Sequence, residues 1–349
     1  ENLDVRSEDL LSSLRVLFGS NASYTSVKQK DLVEFAASST SGHGHADLPC
    51  GSGKSMSWIL PVTARLLSGR CGSGKCTIVV LPYKFLSAFQ MEAATQILEK
   101  SFDIWIVALN AIDFQGSSVP DELLVEDMIP DLLFLSIDAL AAFMAKQKSR
   151  LARLCRNGLI ARFVIDEIHT LLVEDFRSAY QCLQQLPSFS VPILTMSGSL
   201  PTVFRPTLLA YIGMNNNGTV LIEGGDVLGQ FPSDFKFSCL VSKNPREISY
   251  RSALAITQAD SLHGVHIMVA SKVDAIYIAS KLSDSLVSYR LLTSDIDQNQ
   301  QESIARDWRN SSFSVLVSTS IAIVGNENPA CRHLIIVGYL FNTMNMVQA

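Results

Sequence analysis

At 349 residues, 48% hydrophobic and 17% charged, the chain is long enough for two globular domains of roughly 150 residues each and too apolar for extended disorder. Its 28 Lys and Arg against 33 Asp and Glu leave a formal charge of −5, so any contact with nucleic acid has to come from a local groove rather than a global attraction. No apolar run nears the ~20 residues that cross a bilayer, and Glu1-Asn2-Leu3-Asp4 has neither the basic flank nor the apolar core of a signal peptide. The sequence therefore predicts an intracellular protein with no membrane partner. Its cysteines (Cys50, Cys71, Cys76, Cys155, Cys182, Cys239, Cys331) are scattered without a Cys-x-x-Cys pair, which speaks against a disulfide framework and a structural zinc site. The missing initial methionine points to a fragment or a processed product.

In chain order, β-branched runs bounded by turn residues predict buried strands at 77–81, 103–108, 132–136, 162–166, 192–196, 265–270, 314–318 and 333–338. Amphipathic stretches between them predict helices at 55–67, 85–99, 139–145, 175–186, 272–282 and 298–308. Strand and helix alternate, as in α/β folds with doubly wound parallel sheets. The rhythm lapses between Asn215 and Pro232, which places a linker near Gly224–Gly229.

The strongest chemical signal is Gly51-Ser52-Gly53-Lys54-Ser55, at the head of the apolar helical stretch Met56–Leu67. Glycines in such a loop let backbone N–H groups close on phosphates, the lysine reaches the outer phosphates, and the hydroxyl holds magnesium. These five residues are the candidate ATP contacts, with Lys54 also catalytic and Ser55 a magnesium ligand. Leu48 stands where the pattern Gly-x-x-x-x-Gly-Lys-Ser/Thr has its first glycine. A second run, Gly72-Ser73-Gly74-Lys75-Cys76, has a thiol for the hydroxyl and leads into a strand, so it reads as a turn. Cys50 invites a redox-switch idea, against the simpler account of a small side chain that fits the turn.

Downstream, Arg162-Phe163-Val164-Ile165-Asp166-Glu167-Ile168-His169 is an apolar strand that ends in two carboxylates. A parallel sheet would deliver Asp166 to its C-terminal edge to hold magnesium, with Glu167 beside it to orient or deprotonate the attacking water.

Asp166-Glu167-Ile168-His169 resembles the D-E-x-H box of superfamily-two helicases, and other motifs of that superfamily stand in order around it. Tyr24-Thr25-Ser26-Val27-Lys28-Gln29 is similar to the RecQ motif whose glutamine reads the adenine edge, a role the resemblance passes to Gln29; without it, a lone helical glutamine is a surface residue. Val79–Tyr83, through Pro82, and Phe134–Asp138, through Ser136 and Asp138, resemble strand-end motifs that touch the sugar-phosphate backbone. Ser136 or Asp138 as an ordinary helix N-cap stays open. Glu174–Tyr180, with Phe176 and Arg177, is similar to the D-F-R-x-x-Y segment of RecQ enzymes. The aromatic residues those enzymes carry just before it are replaced by Thr170-Leu171-Leu172-Val173, which leaves Phe176 as the stacking candidate. Ser197-Gly198-Ser199 stands at the S/T-A-T motif, so the resemblance makes Ser197 and Ser199 coupling residues between the lobes, with His169 as partner. A plain buried histidine is the other reading of His169.

In the second half, Val265–Lys272, through Ser271, resembles motif IV, and Ser314–Thr319 with Gly325–Pro329 resembles motif V, although Ile323 and Glu327 depart from the RecQ pattern. Thr319 is then a backbone-contact candidate and Gly325 a coupling one. Asn345–Ala349, through Gln348, looks like the start of the motif that ends in arginines; the chain stops before them. Because an arginine finger is worth roughly 10³–10⁵ in rate, this chain is expected to bind ATP and magnesium and to hydrolyse ATP poorly.

The resemblance implies two tandem RecA-like lobes with parallel sheets, residues 1–225 as the ATP-binding lobe and 226–349 as a C-terminal lobe incomplete at its end. It further implies a nuclear, ATP-dependent 3′–5′ DNA helicase that uses ATP and Mg2+, closes its lobes around each ATP and acts on single-stranded DNA or 3′-overhang duplexes. The alternative is a degenerate module that binds ATP and nucleic acid without unwinding. The oligomeric state stays open.

Overall fold

The computed structural model describes residues 5–38, 42–49, 51–68, 76–98, 104–114, 128–173, 177–198, 200–214, 218–224, 236, 238–319, 328 and 330–338. The chain divides into two compact units, Glu1–Gln230 and Phe231–Ala349.

The first unit opens with two helices, α1 (Ser7–Phe18) and α2 (Val27–Ala37), the second capped by the Ser26 hydroxyl, which accepts from the Gln29 N–H. Alternation then begins: β1 (Gly44–Asp47), α3 (Met56–Leu67), β2 (Cys76–Leu81), α4 (Lys84–Leu98), β3 (Ile106–Leu109), β4 (Leu132–Ser136), α5 (Ile137–Arg156), β5 (Ile160–Ile165), α6 (Thr170–Val173), β6 (Ile193–Ser197), α7 (Arg205–Tyr211) and β7 (Val220–Glu223). All strand pairs are parallel, in the order β3-β4-β2-β5-β6-β1-β7. β2 and β4 are buried along their whole length, as strands covered on both faces must be. One face carries the main core, where Ile78, Leu133, Phe143 and Phe163 meet; on another flank α1 and α2 pack against α3 through Leu10, Leu14, Val33, Leu60 and Ala64.

The second unit holds α8 (Pro245–Ala259), β8 (Gly264–Val269), α9 (Lys272–Ser283), β9 (Tyr289–Leu292), α10 (Gln298–Arg309), β10 (Val315–Ser318) and β11 (Cys331–Val337). Its strands are parallel in the order β11-β8-β10-β9. The α/β class with two parallel sheets is the one the alternation predicts.

Three local expectations need correction. The segment read as an α-helix over 175–186 has residues 174–176 outside the description, and Ser178–Phe189 is a long 3₁₀ helix. Its buried Tyr180, Leu183, Leu186 and Phe189 are spaced by three, and residues three apart eclipse on a three-residue turn. The helix predicted at 139–145 runs on to Arg156, bent at Gln147 (φ −134°, ψ 33°), where the apolar stripe lapses before Leu151. Within the lapse between Asn215 and Pro232 lies β7, an edge strand on β1 whose Val220 and Leu221 face solvent and so hide the alternation that marks a strand.

Candidate functional site

Register sets the site. β1 pairs with β6 so that Asp47 stands beside Ser197, and β2 pairs with β4 so that Leu81 stands beside Ser136. The Asp166 N–H donates to Val80 O one step beyond the end of β5. Asp47, Leu81, Ser136, Asp166 and Ser197 therefore gather at the C-terminal edge of one sheet, where α/β folds place their ligands.

The phosphate loop leaves β1 at Asp47 and enters α3 at Met56. Gly51 and Gly53 have φ of +76° and +78°, a conformation that L side chains rarely adopt. A Cβ on Gly53 would also collide with Gln29 Nε2. Gly53→Ala is therefore expected to destabilise the first unit by about 1–2 kcal/mol and to displace Gln29; an unchanged urea midpoint would contradict this. Lys54 Nζ donates to Leu48 O (3.0 Å) and Pro49 O (3.2 Å), curling over the loop. Two hydroxyls remain open for a ligand: Ser52 Oγ is buried without a hydrogen-bond partner among the described residues, and Ser55, at the N-cap of α3, makes no side-chain capping bond. Two open glycines, a lysine, unspent hydroxyls and a helix N-terminus fit a magnesium-bound polyphosphate.

Gln29 is buried on this loop. Its Oε1 accepts from Thr25 N (2.7 Å) and Thr25 Oγ1 (3.0 Å), while Nε2 donates to Gly53 O (3.3 Å); Thr25 Oγ1 also donates to Ser52 O (3.3 Å). The glutamine thus ties the segment before α2 to the phosphate loop.

The acidic pair follows β5. Asp166 is buried, and that burial first, then the Glu167 carboxylate, pushes its pKa up to about 7 against the pull of Lys54. Asp166 Oδ1 accepts from Glu167 N (3.0 Å). Glu167 adopts φ +51°, unusual for a residue with a side chain, and its carbonyl is held by Thr170 N (3.0 Å) and Thr170 Oγ1 (2.7 Å). Tyr180 Oη in turn donates to Thr170 Oγ1 (2.8 Å). Sequence reasoning missed this clamp, although Thr170 directly after the box and the terminal Tyr of Asp-Phe-Arg-x-x-Tyr were both in view. His169 is fully buried, its Nδ1 2.9 Å from Ser197 Oγ and 3.3 Å from Glu167 Oε2. The structure therefore brings His169, Glu167 and Ser197 together; Ser199 lies outside the described residues.

Of the backbone-contact candidates, Pro82, Asp138 and Arg177 converge. Arg177 donates to Asp138 Oδ2 (2.6 Å) and Pro82 O (3.2 Å), and its guanidinium lies 5.6 Å from the ring centres of Tyr83 and Tyr180. Ser136 does not join them at the surface: it is buried, and its hydroxyl caps α5 by accepting from Ala139 N. Ser271 likewise caps α9, accepting from Asp274 N. Thr319, buried just past β10, donates its N–H to Leu292 O. Beside it, Ser318 Oγ lies 2.7 Å from Nε2 of His266, whose pKa burial drives down to about 4. Phe176, Gly325, Gln348 and Cys50 lie outside the described residues.

Comparison with known proteins was made on this geometry. Residues 23–205 match the DEAD/DEAH box helicase model, and residues 251–349 match the helicase conserved C-terminal domain. The chain belongs to the DEAD/DEAH box helicase family.

This family member is 29% identical over 173 residues to the RecQ-like DNA helicase BLM of Xenopus laevis, covering 48% of this chain and 12% of that protein. It is 22% identical over 183 residues to the ATP-dependent RNA helicase eIF4A of Lodderomyces elongisporus, covering 50% of this chain and 42% of that protein. The matched stretch thus spans less than half of either relative. Among solved structures, Mss116p bound to single-stranded RNA and AMP-PNP superposes with a TM-score of 0.76 at 16% identity, over 99% of this chain and 71% of that one. The helicase MrfA bound to DNA and AMPPNP gives 0.76 at 14%, over 98% and 48%. The solved structures show the fold, two RecA-like units, while the helicase family rests on the two matched models, and the RecQ-like and DEAD-box relatives do not choose between those branches.

Proposed function

We propose that the first unit is the ATP site of a nucleic-acid motor, and that its nucleic acid is DNA. The observation that carries the ATP reading is the convergence of Gly51–Ser55, Gln29, Asp166 and Glu167 at one sheet edge, with left-handed glycines and unspent hydroxyls at the phosphate loop. Bound ATP with magnesium would supply the scissile phosphoanhydride and a cation to offset phosphate charge. Lys54 would neutralise phosphate charge, and Ser55 and Asp166 would hold the cation. Glu167, set by its left-handed backbone and the Thr170 clamp, orients the attacking water and takes its proton. His169 reports the state of Glu167 to Ser197 through the shared Nδ1.

DNA is favoured by the Asp-Phe-Arg-x-x-Tyr segment and by the higher identity to the RecQ-like relative; the 3′–5′ polarity is carried over from that kinship. Arg177, which donates to Pro82 O and Asp138, is the residue assigned to the sugar-phosphate backbone in this reading. RNA is the second reading, favoured by the eIF4A and Mss116p likenesses. Fluorescence anisotropy with labelled single-stranded DNA and RNA of one sequence, each with AMP-PNP and magnesium, separates them. Tighter binding to DNA, weakened by Arg177→Ala, is expected. Tighter binding to RNA would move the chain to the RNA reading, and binding to neither would leave an ATP module alone.

A further inference from the structure

Beneath the phosphate loop lies a buried polar network that the proposed chemistry does not use. Asp47, the last residue of β1, has its side chain 4% exposed, and a buried carboxylate demands compensation. Arg205, the first residue of α7 and itself 11% exposed, supplies it: Nε and Nη2 each lie 2.9 Å from Asp47 Oδ2, while Nη1 pairs with Glu223 at the end of β7. The other Asp47 oxygen lies 3.1 Å from Nε2 of His45, whose Nδ1 is 2.8 Å from Thr195 Oγ1 on β6. The ends of two adjacent strands, β1 and β7, are thus joined by one guanidinium, and His45 carries the network on to β6.

The backbone around Asp47 is the stem of the phosphate loop. Leu48 N donates to Ser197 O (3.0 Å), and Gly224 N donates to Asp47 O (2.9 Å). The next two carbonyls, Leu48 O and Pro49 O, are those on which Lys54 rests. A shift of Asp47 therefore moves the platform under the lysine. Arg205 lies eight residues past Ser197, at the end of the segment that begins at His169's partner. The Ser197 side of the site and the phosphate loop are consequently braced through one ion pair.

We propose that Arg205 is a positioning residue for the phosphate loop, acting through Asp47 and Glu223 to set the stem on which Lys54 is placed. This rests on the reading of Gly51–Ser55 as the ATP site. A planar guanidinium suits the task because it meets two carboxylates in fixed directions, which an ammonium cannot do.

The test is calorimetric titration of the full chain with ATP and magnesium, well below each variant's melting temperature. Arg205→Ala and Asp47→Ala are each expected to weaken ATP binding by roughly tenfold to a hundredfold, as loss of an outer partner of a site does. The double variant should be no weaker than either single one, and Arg205→Lys should recover part of the loss. A folded Arg205→Ala protein with wild-type ATP affinity, or losses that multiply in the double variant, overturns the proposal, because a merely structural brace lowers the melting temperature without moving the affinity. If Arg205→Ala does not fold, Glu223→Gln at a half-exposed carboxylate decides: weaker ATP binding supports the proposal and wild-type affinity overturns it. Failure of the wild-type chain to bind ATP at all instead overturns the ATP-site reading itself.

Discussion

Alanine at Lys54 is expected to weaken ATP binding by about a hundredfold or more, in line with the loss of one preorganised charge aimed at an anion. The residue sits at the mouth of α3, where backbone N–H groups and the helix dipole already favour phosphate, and it contributes the only full positive charge among Gly51–Ser55. It also draws down the pKa of the buried Asp166, so its removal leaves that carboxyl more readily protonated and a poorer magnesium ligand. The loop itself should survive, because its glycines and its bonds from Leu48 and Met56 do not involve the side chain. Titration of a fluorescent ATP analogue into the two proteins checks this, with circular dichroism to show that both are folded. Equal affinities would remove Lys54 from the phosphate site.

The second large effect is on stability. Trp308→Ala should destabilise the second unit by about 3–5 kcal/mol, the usual cost of emptying a buried aromatic site. Trp308 is 1% exposed and centres a cluster with Leu292, Phe313 and Leu316; its ring lies 5.3 Å from Phe313 and 6.1 Å from His266. It also fills the space over Gly264, where a Cβ would come within 2.9 Å of the indole, and Asn328 Nδ2 donates to its carbonyl (2.7 Å). Domain stabilities are only about 5–15 kcal/mol, so the loss is a large fraction of what holds this four-stranded unit together. Urea denaturation should show a midpoint lowered by on the order of 2 M, with ATP binding by the first unit retained. A midpoint unchanged within error would show that the site collapses around the missing ring.

The fold class was legible because buried parallel strands are nearly continuous apolar runs, and runs such as Thr77–Leu81 and Leu132–Ser136 announce themselves without neighbours. Elements whose apolar residues are sparse or solvent-facing were not: β7 exposes Val220 and Leu221, and β1 carries His45 and Asp47 among its four residues. The 3₁₀ character of Ser178–Phe189 was written in the three-residue spacing of Tyr180, Leu183, Leu186 and Phe189, but that period lies close enough to 3.6 to pass for an α-helix.

At the site, the amino-acid order alone determined which residues could meet phosphate and magnesium, since Gly51–Ser55 and Asp166–Glu167 carry their chemistry in contiguous motifs at strand ends. Only the tertiary structure decided what holds them. Gln29 lies on Gly53, Tyr180 on Thr170 and Arg205 on Asp47, pairs separated by between 10 and 158 residues, whereas the His169–Ser197 pair was already implied by the family resemblance. It also decided for the helix cap that had stayed open at Ser136 and made Ser271 a cap as well. The physical reason is that a motif encodes contacts made by neighbours in the chain, whereas the partners of a buried polar group are chosen by whichever strand ends the sheet register brings alongside it.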